Sequence, residues 1–62
     1  MRNFQIIKIE ADTVRLVEIY THNGVCKDFT GKTCISNALR HMKRICSGER
    51  KFEILTTAQA TR

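Results

Sequence analysis

The chain has 62 residues, 42% of them apolar, and 11 Lys or Arg against 6 Asp or Glu give it a formal charge of +5. A chain this short folds as one thin-cored domain with no room for an elaborate catalytic pocket, while the apolar share argues against a disordered tail. No charge-free apolar run reaches bilayer-spanning length and the first residues lack the apolar stretch of a signal peptide, so the expectation is a cytoplasmic chain with no membrane contact.

Residues 4–10 and 13–20 are rich in Ile, Val and Leu, and Ala11-Asp12 between them permits a tight reversal, which predicts a β-hairpin. Asn23-Gly24 is a strong signal for a second hairpin turn, since both residues tolerate the positive φ of a type I′ turn. Residues 25–29 then read as a short third strand. If Ala11 and Asp12 alone form the first loop, Ile9 pairs with Val14, Ile7 with Leu16, Ile6 with Val17 and Phe4 with Ile19. One sheet face then shows Ile7, Ile9, Val14 and Leu16, and the other shows Phe4, Ile6, Val17 and Ile19. A single helix covers only one face. Either a β-bulge at Ile6-Ile7 and Leu16-Val17 turns both clusters inward, or the second cluster is an exposed interface; the second alternative is adopted.

From Thr33 the apolar period lengthens to that of a helix. Ile35, Ala38, Leu39, Met42, Ile45 and Cys46 share one face. Thr33 is expected to cap the first turn through its hydroxyl, and Gly48 to end the helix in the left-handed conformation. Residues 51–56 read as a fourth strand with Phe52 and Ile54 on one side. The domain therefore spans residues 1–57, and residues 58–62 form a frayed tail.

Several groupings suggest chemistry. Gly31-Lys32-Thr33 before a helix has the end of a phosphate loop, but the glycine that loop needs five residues earlier is Cys26, so a turn into a helix explains it. Cys26, Cys34 and Cys46 are spaced C-x7-C-x11-C, without the close pairs of a zinc site. Three is an odd number, which suits free thiols in a reducing compartment, with Cys34 and Cys46 as small apolar residues on the helix's buried side. Cys34 and His41 lie about 10 Å apart by helix rise, too far for a nucleophile and its base. The expectation is a protein that is not an enzyme, has no cofactor or metal and takes no small-molecule substrate.

Charge is uneven along the chain. Residues 1–30 balance Arg2, Lys8, Arg15 and Lys27 against Glu10, Asp12, Glu18 and Asp28, whereas the rest sets Lys32, Arg40, Lys43, Arg44, Arg50, Lys51 and Arg62 against only Glu49 and Glu53. A polyanion is drawn to the second half. Lys32, Asn37, Arg40, Lys43, Arg44, Arg50 and Lys51 are the candidate contacts for a nucleic acid or other anion. Single-strand binding is less favoured, because the aromatics Phe4, Tyr20, Phe29 and Phe52 fall mostly at core phases.

The order of hairpin, strand, Thr33-headed helix with CISN, AL and RHM, and a closing Phe52-Glu53-Ile54-Leu55 strand resembles the short proteins encoded by bacteriophages and enterobacterial prophages. That resemblance implies a non-enzymatic binder and carries over no functional residue: some phage inhibitors of host RNA polymerase have a similar strand, Thr-headed helix, glycine and Phe-Glu strand, but the spacing from Thr33 to Ala38-Leu39 and from Gly48 to Phe52 differs here and their strong acidity is absent. The overall expectation is an α+β domain in the order β-β-β-α-β, a small antiparallel sheet of three to four strands with one amphipathic helix on one face. Its function is expected to be non-catalytic binding of a macromolecular partner, as a homodimer through Phe4, Ile6, Val17 and Ile19, the alternative being a nucleic-acid-binding module that uses the basic helix face.

Overall fold

The computed structural model describes residues 2–57, so the tail expected to fray, residues 58–62, lies outside the described residues. Five elements follow one another: β1 (Arg2–Glu10), β2 (Thr13–Ile19), β3 (Cys26–Thr30), α1 (Cys34–Ile45) and β4 (Arg50–Thr56). This is the expected α+β order. The strands form one sheet in the order β3-β2-β1-β4. β1 with β2 and β2 with β3 are antiparallel, but β4 is parallel to β1, so the sheet is mixed. The helix is the reason: α1 leaves β3 at one edge and carries the chain over the sheet to the other edge, and a parallel neighbour needs such a crossover.

The register of the first hairpin corrects the expected interface. Ala11-Asp12 is the turn and Glu10 faces Thr13, but Ile9 is then an extra residue, and from Lys8↔Val14 onward the pairing is Ile7↔Arg15, Ile6↔Leu16 and Phe4↔Glu18. A bulge therefore exists, although not where it was placed. Its consequence is a one-residue slip, which moves a strand's side chains to the other face. Phe4 and Ile6, at 1% and 0% exposure, join Val14 and Leu16 in the core beneath α1 and belong to no surface. Val17 and Ile19 remain half-buried on the opposite face, where Ile7 joins them among Asn3, Gln5 and Arg15. The polar neighbours break up what was expected to be a continuous apolar patch.

α1 contributes Cys34, Ala38 and Met42 to the same core, with Cys46 buried at its end. Neither expected cap forms. The Thr33 hydroxyl makes no capping bond and instead accepts a 3.3 Å hydrogen bond from Asn37 Nδ2. At the other end the chain leaves the helix by an extended Cys46, whose N–H donates to the Met42 carbonyl, and Gly48 does not take up positive φ. Extension at Cys46 already aims the chain toward β4, so no left-handed reversal is required.

The Asn23-Gly24 turn is also replaced. Neither residue has positive φ; Tyr20 does, at 65°, and a longer connection closes on a 2.7 Å bond from the Glu18 N–H to the Val25 carbonyl. A two-residue turn at Asn23-Gly24 would set Leu16 opposite Gly31. The longer loop instead sets Val14 opposite Phe29 and Leu16 opposite Lys27. Phe29 then packs beside the core, its ring 5.6 Å from that of His41 on α1.

Candidate binding surface beside β4

The helix-facing side of the sheet is wider than one helix. α1 lies across β2 and β3, and its side chains also roof Phe4 and Ile6 on β1. β4 is the fourth strand along, and its inward residues pair Phe52 with Phe4 and Ile54 with Ile6. They fall beyond the roof: Phe52 is 45% and Ile54 47% exposed. The most exposed apolar side chains of β4 therefore sit beside the helix, while Ile7, Val17, Ile19 and Leu55 on the opposite face of the sheet are only partly exposed.

Between α1 and β4 runs an open groove of about 390 Å³, lined by Leu39, Met42 and Phe52 together with Arg40, Lys43 and Arg50. Helical geometry accounts for the grouping. Leu39, Met42 and Lys43 fall three and four residues apart along one side of α1, the side toward β4, with Arg40 at its outer margin. Arg50 comes from the first position of β4, where it pairs with Arg2 across the sheet. Three of the expected cations thus meet around an apolar strip, a combination that attracts a ligand carrying both carboxylates and apolar side chains.

The other expected contacts disperse. Lys51 points to the opposite sheet face and lines a second cleft of about 400 Å³ with Asn3, Tyr20, Phe52 and Glu53 among others. Arg44 lies on the side of α1 toward β3. There, with Lys27, it disfavours a charge on His41, whose pKa is lowered first by burial and then by these two cations. Lys32 is exposed in the turn before α1, and Asn37 is tied to Thr33. Gly31 N–H, the donor a phosphate loop would offer, is engaged by the Asp12 carbonyl at 2.8 Å.

Two cations are matched inside the fold. Arg2 pairs with Glu18 at 2.6 Å and Arg15 with Asp28 at 2.7 Å. Their neutralisation leaves the basic excess on the turn, helix and β4 residues named above. Of the four aromatics expected to fall mostly at core phases, Tyr20 is 89% exposed next to the second cleft, and its positive φ turns it out of the strand pattern. Leu39 and Phe52 as groove residues, and Tyr20 as an exposed ring, were not singled out from sequence. Counting four strands against one helix would have shown that an edge strand stays uncovered.

Cys34 and Cys46 are buried, Cys26 is exposed, and all three are free thiols. Among the described residues no group of three or more His, Cys, Asp or Glu is placed to share a metal ion, and no helix is long and apolar enough to cross a membrane. No family model matches this chain, and neither a curated protein nor a solved structure matches it.

Proposed function

We propose that this chain is a small non-catalytic binding protein of the cytoplasm that works as a homodimer and engages an acidic, apolar-tipped segment of a protein partner in the groove between α1 and β4. The observation that carries the reading is the juxtaposition of Arg40, Lys43 and Arg50 with Leu39, Met42 and Phe52. Apolar floor and cationic rim are complementary to a peptide that alternates leucine with glutamate, and charge complementarity there governs partner choice and on-rate. A phosphate backbone has no apolar group to place against Leu39 and Met42. Cys34, buried in the first turn of α1, and His41, turned toward Phe29, offer no exposed nucleophile and base at that groove. Three free thiols suit a reducing compartment.

A second reading is favoured by one observation. Tyr20 and Phe52 are exposed rings beside Arg50 and Lys51, the ingredients of a stacking platform for single-stranded nucleic acid.

Fluorescence anisotropy with two labelled probes separates the readings: a peptide of alternating Glu and Leu, and an oligothymidylate. The expected result is saturable binding of the peptide, weakened about tenfold or more by Arg40→Ala with Lys43→Ala and also by Leu39→Ser, with Tyr20→Ala indifferent. Tighter binding of the oligonucleotide, steeply salt-dependent and lost in Tyr20→Ala, would replace the protein-partner reading with the nucleic-acid one.

A further inference from the structure

We infer that two copies of this chain join through β4, edge to edge and antiparallel, with Phe52 on the two-fold axis. This inference rests on the homodimer part of the reading above and supplies its surface. Among the described residues the strand order gives β3 and β4 one strand neighbour each, so each is an edge strand, and on β4 residues 50–54 offer the outer row of backbone groups that sheet extension would use. The two edges differ in what lies beside that row. β3 is short, α1 packs over it, and Asp28 on its other face is held by Arg15. β4 has seven residues and leaves Phe52 and Ile54 about half exposed.

The sequence of β4 selects one way of pairing with itself. About an axis perpendicular to the sheet, facing residues share a face, so the strand must be centred on a single residue. Centred on Lys51 or on Glu53, it opposes a charge to its own copy. Centring on Ile54 sets Glu53 against Leu55. Centred on Phe52, it lays ring beside ring on the helix side, sets Arg50 beside Ile54, and on the other face brings Lys51 of each copy opposite Glu53 of the other. Unlike charges then meet twice and like charges never do. Opposite-charge cross-strand pairs stabilise a sheet, and like charges directly opposite destabilise it.

Such pairing also has a consequence for the groove. Phe52 lines the groove of its own copy, so an axis through Phe52 makes the two grooves adjoin. Arg40, Lys43 and Arg50 of both copies then surround one apolar basin, twice the size of site that one copy offers. Backbone pairing and the burial of Phe52 and Ile54 hold it together, and Lys51 with Glu53 fix its register.

Sedimentation velocity on the full chain without ligand, over a wide concentration range, tests this with three variants. The expected result is a dimer whose dissociation constant rises about tenfold or more in Lys51→Glu and again in Glu53→Lys, since each creates two like-charge contacts, and returns to its original value in the double swap. Thermal melts serve as a folding control, because both side chains are exposed. A dimer indifferent to the single swaps, or one that the double swap fails to restore, overturns the β4 pairing while the homodimer stands. A monomer at every concentration overturns both, and neither result bears on the peptide titration.

Discussion

Arg2 grips Glu18 through two hydrogen bonds, Nε to Oε2 at 2.8 Å and Nη2 to Oε1 at 2.6 Å, while its Nη1 donates to the Ile45 carbonyl at 2.6 Å. One side chain at the start of β1 thereby joins the end of β2 to the last turn of α1. The helix end is where carbonyls lack partners and the dipole favours a cation. Arg2 also lies 5.4 Å from the centre of the Phe4 ring, so the clamp and the core are continuous.

The clamp predicts an acid-sensitive fold. The Arg2 guanidinium, by its hydrogen bonds first and its charge next, holds the Glu18 carboxyl below its ordinary value of 4.5. Because the folded pKa is the lower one, the unfolded chain takes up this proton more readily. The contribution of Glu18 is complete above its ordinary value and is lost as pH falls through the depressed one. Thermal melts should show a midpoint that drops on acidification below about 4.5. Glu18→Gln should lower the midpoint at neutral pH and flatten this acid limb. Asp28, lowered in the same direction by Arg15, adds less, because both partners are about half exposed and salt screens them. An acid limb unchanged in Glu18→Gln would remove the clamp from the account.

The bulge at Ile9 makes a second prediction, because it decides which hairpin side chains are core. Ile6→Ala and Leu16→Ala empty space under α1 and should each cost about 2–5 kcal/mol in urea denaturation. Ile7→Ala and Val17→Ala, on the open face, should each cost less than about 1 kcal/mol. Equal losses at Ile6 and Ile7 would contradict the observed register.

Much of this was legible in the chain, and the failures share a cause. The five elements, their order and the buried side of α1 follow from periodicity, which is local. Register is not local. Assuming an unbroken ladder from Ala11-Asp12 put Phe4 and Ile6 opposite to where they lie, although each strand alone carried the answer. Phe4-Gln5-Ile6 and Val14-Arg15-Leu16 both alternate apolar and polar, and only an extra residue between Lys8 and Glu10 brings the two alternations onto one face. The parallel placement of β4 was equally hidden, since nothing in residues 50–56 records which edge the crossover reaches. With it went the groove, whose Phe52 and Leu39 come from separate elements. Only the cations Arg40, Lys43 and Arg50 were nameable beforehand, because charge density survives without a fold.

The glycines give a third prediction, in which three apparently similar loop positions separate. At Gly24 a Cβ would meet the Glu18 carbonyl oxygen at 2.8 Å and the Glu18 Cβ at 2.9 Å, both on a strand held in the sheet. Gly24→Ala should therefore push the loop away and cost about 1–3 kcal/mol. Gly31 has open space around it but a φ of 105°, so Gly31→Ala is strained by its backbone, at a cost of about 1–3 kcal/mol. Gly48 has neither constraint, and Gly48→Ala should change stability by less than about 0.5 kcal/mol. A large loss at Gly48 would restore the left-handed helix end that the structure replaces with an extended Cys46.

His41 offers a reporter that tells the two classes of partner apart without depending on affinity. Its pKa is lowered first by burial and then by Lys27 and Arg44; Lys27 stands on β3, away from the groove, while Arg44 lies one helical turn from Arg40 at the groove's outer margin. A peptide carboxylate held between Lys43 and Arg50 leaves Lys27 as it was and reaches Arg44 only through its neighbour Arg40, so the imidazole should shift little with the peptide. Nucleic acid whose phosphates extend from the Tyr20 and Phe52 platform onto the basic helix face would meet Lys27 and Arg44, remove their repulsion, and raise the His41 pKa; burial keeps it below the ordinary 6.5. The sign carries into stability. With the folded pKa depressed, the free chain loses stability as pH falls from 6.5 through that lower value, and a bound polyanion should reduce the loss. Following the imidazole protons by NMR across that range, with each probe in turn, reads the outcome directly. A rise with the oligonucleotide and a smaller one or none with the peptide fits groove binding of the peptide, whereas a rise with the peptide as large as with the oligonucleotide would place it against Lys27 on the β3 side of α1 and empty the groove of its proposed occupant.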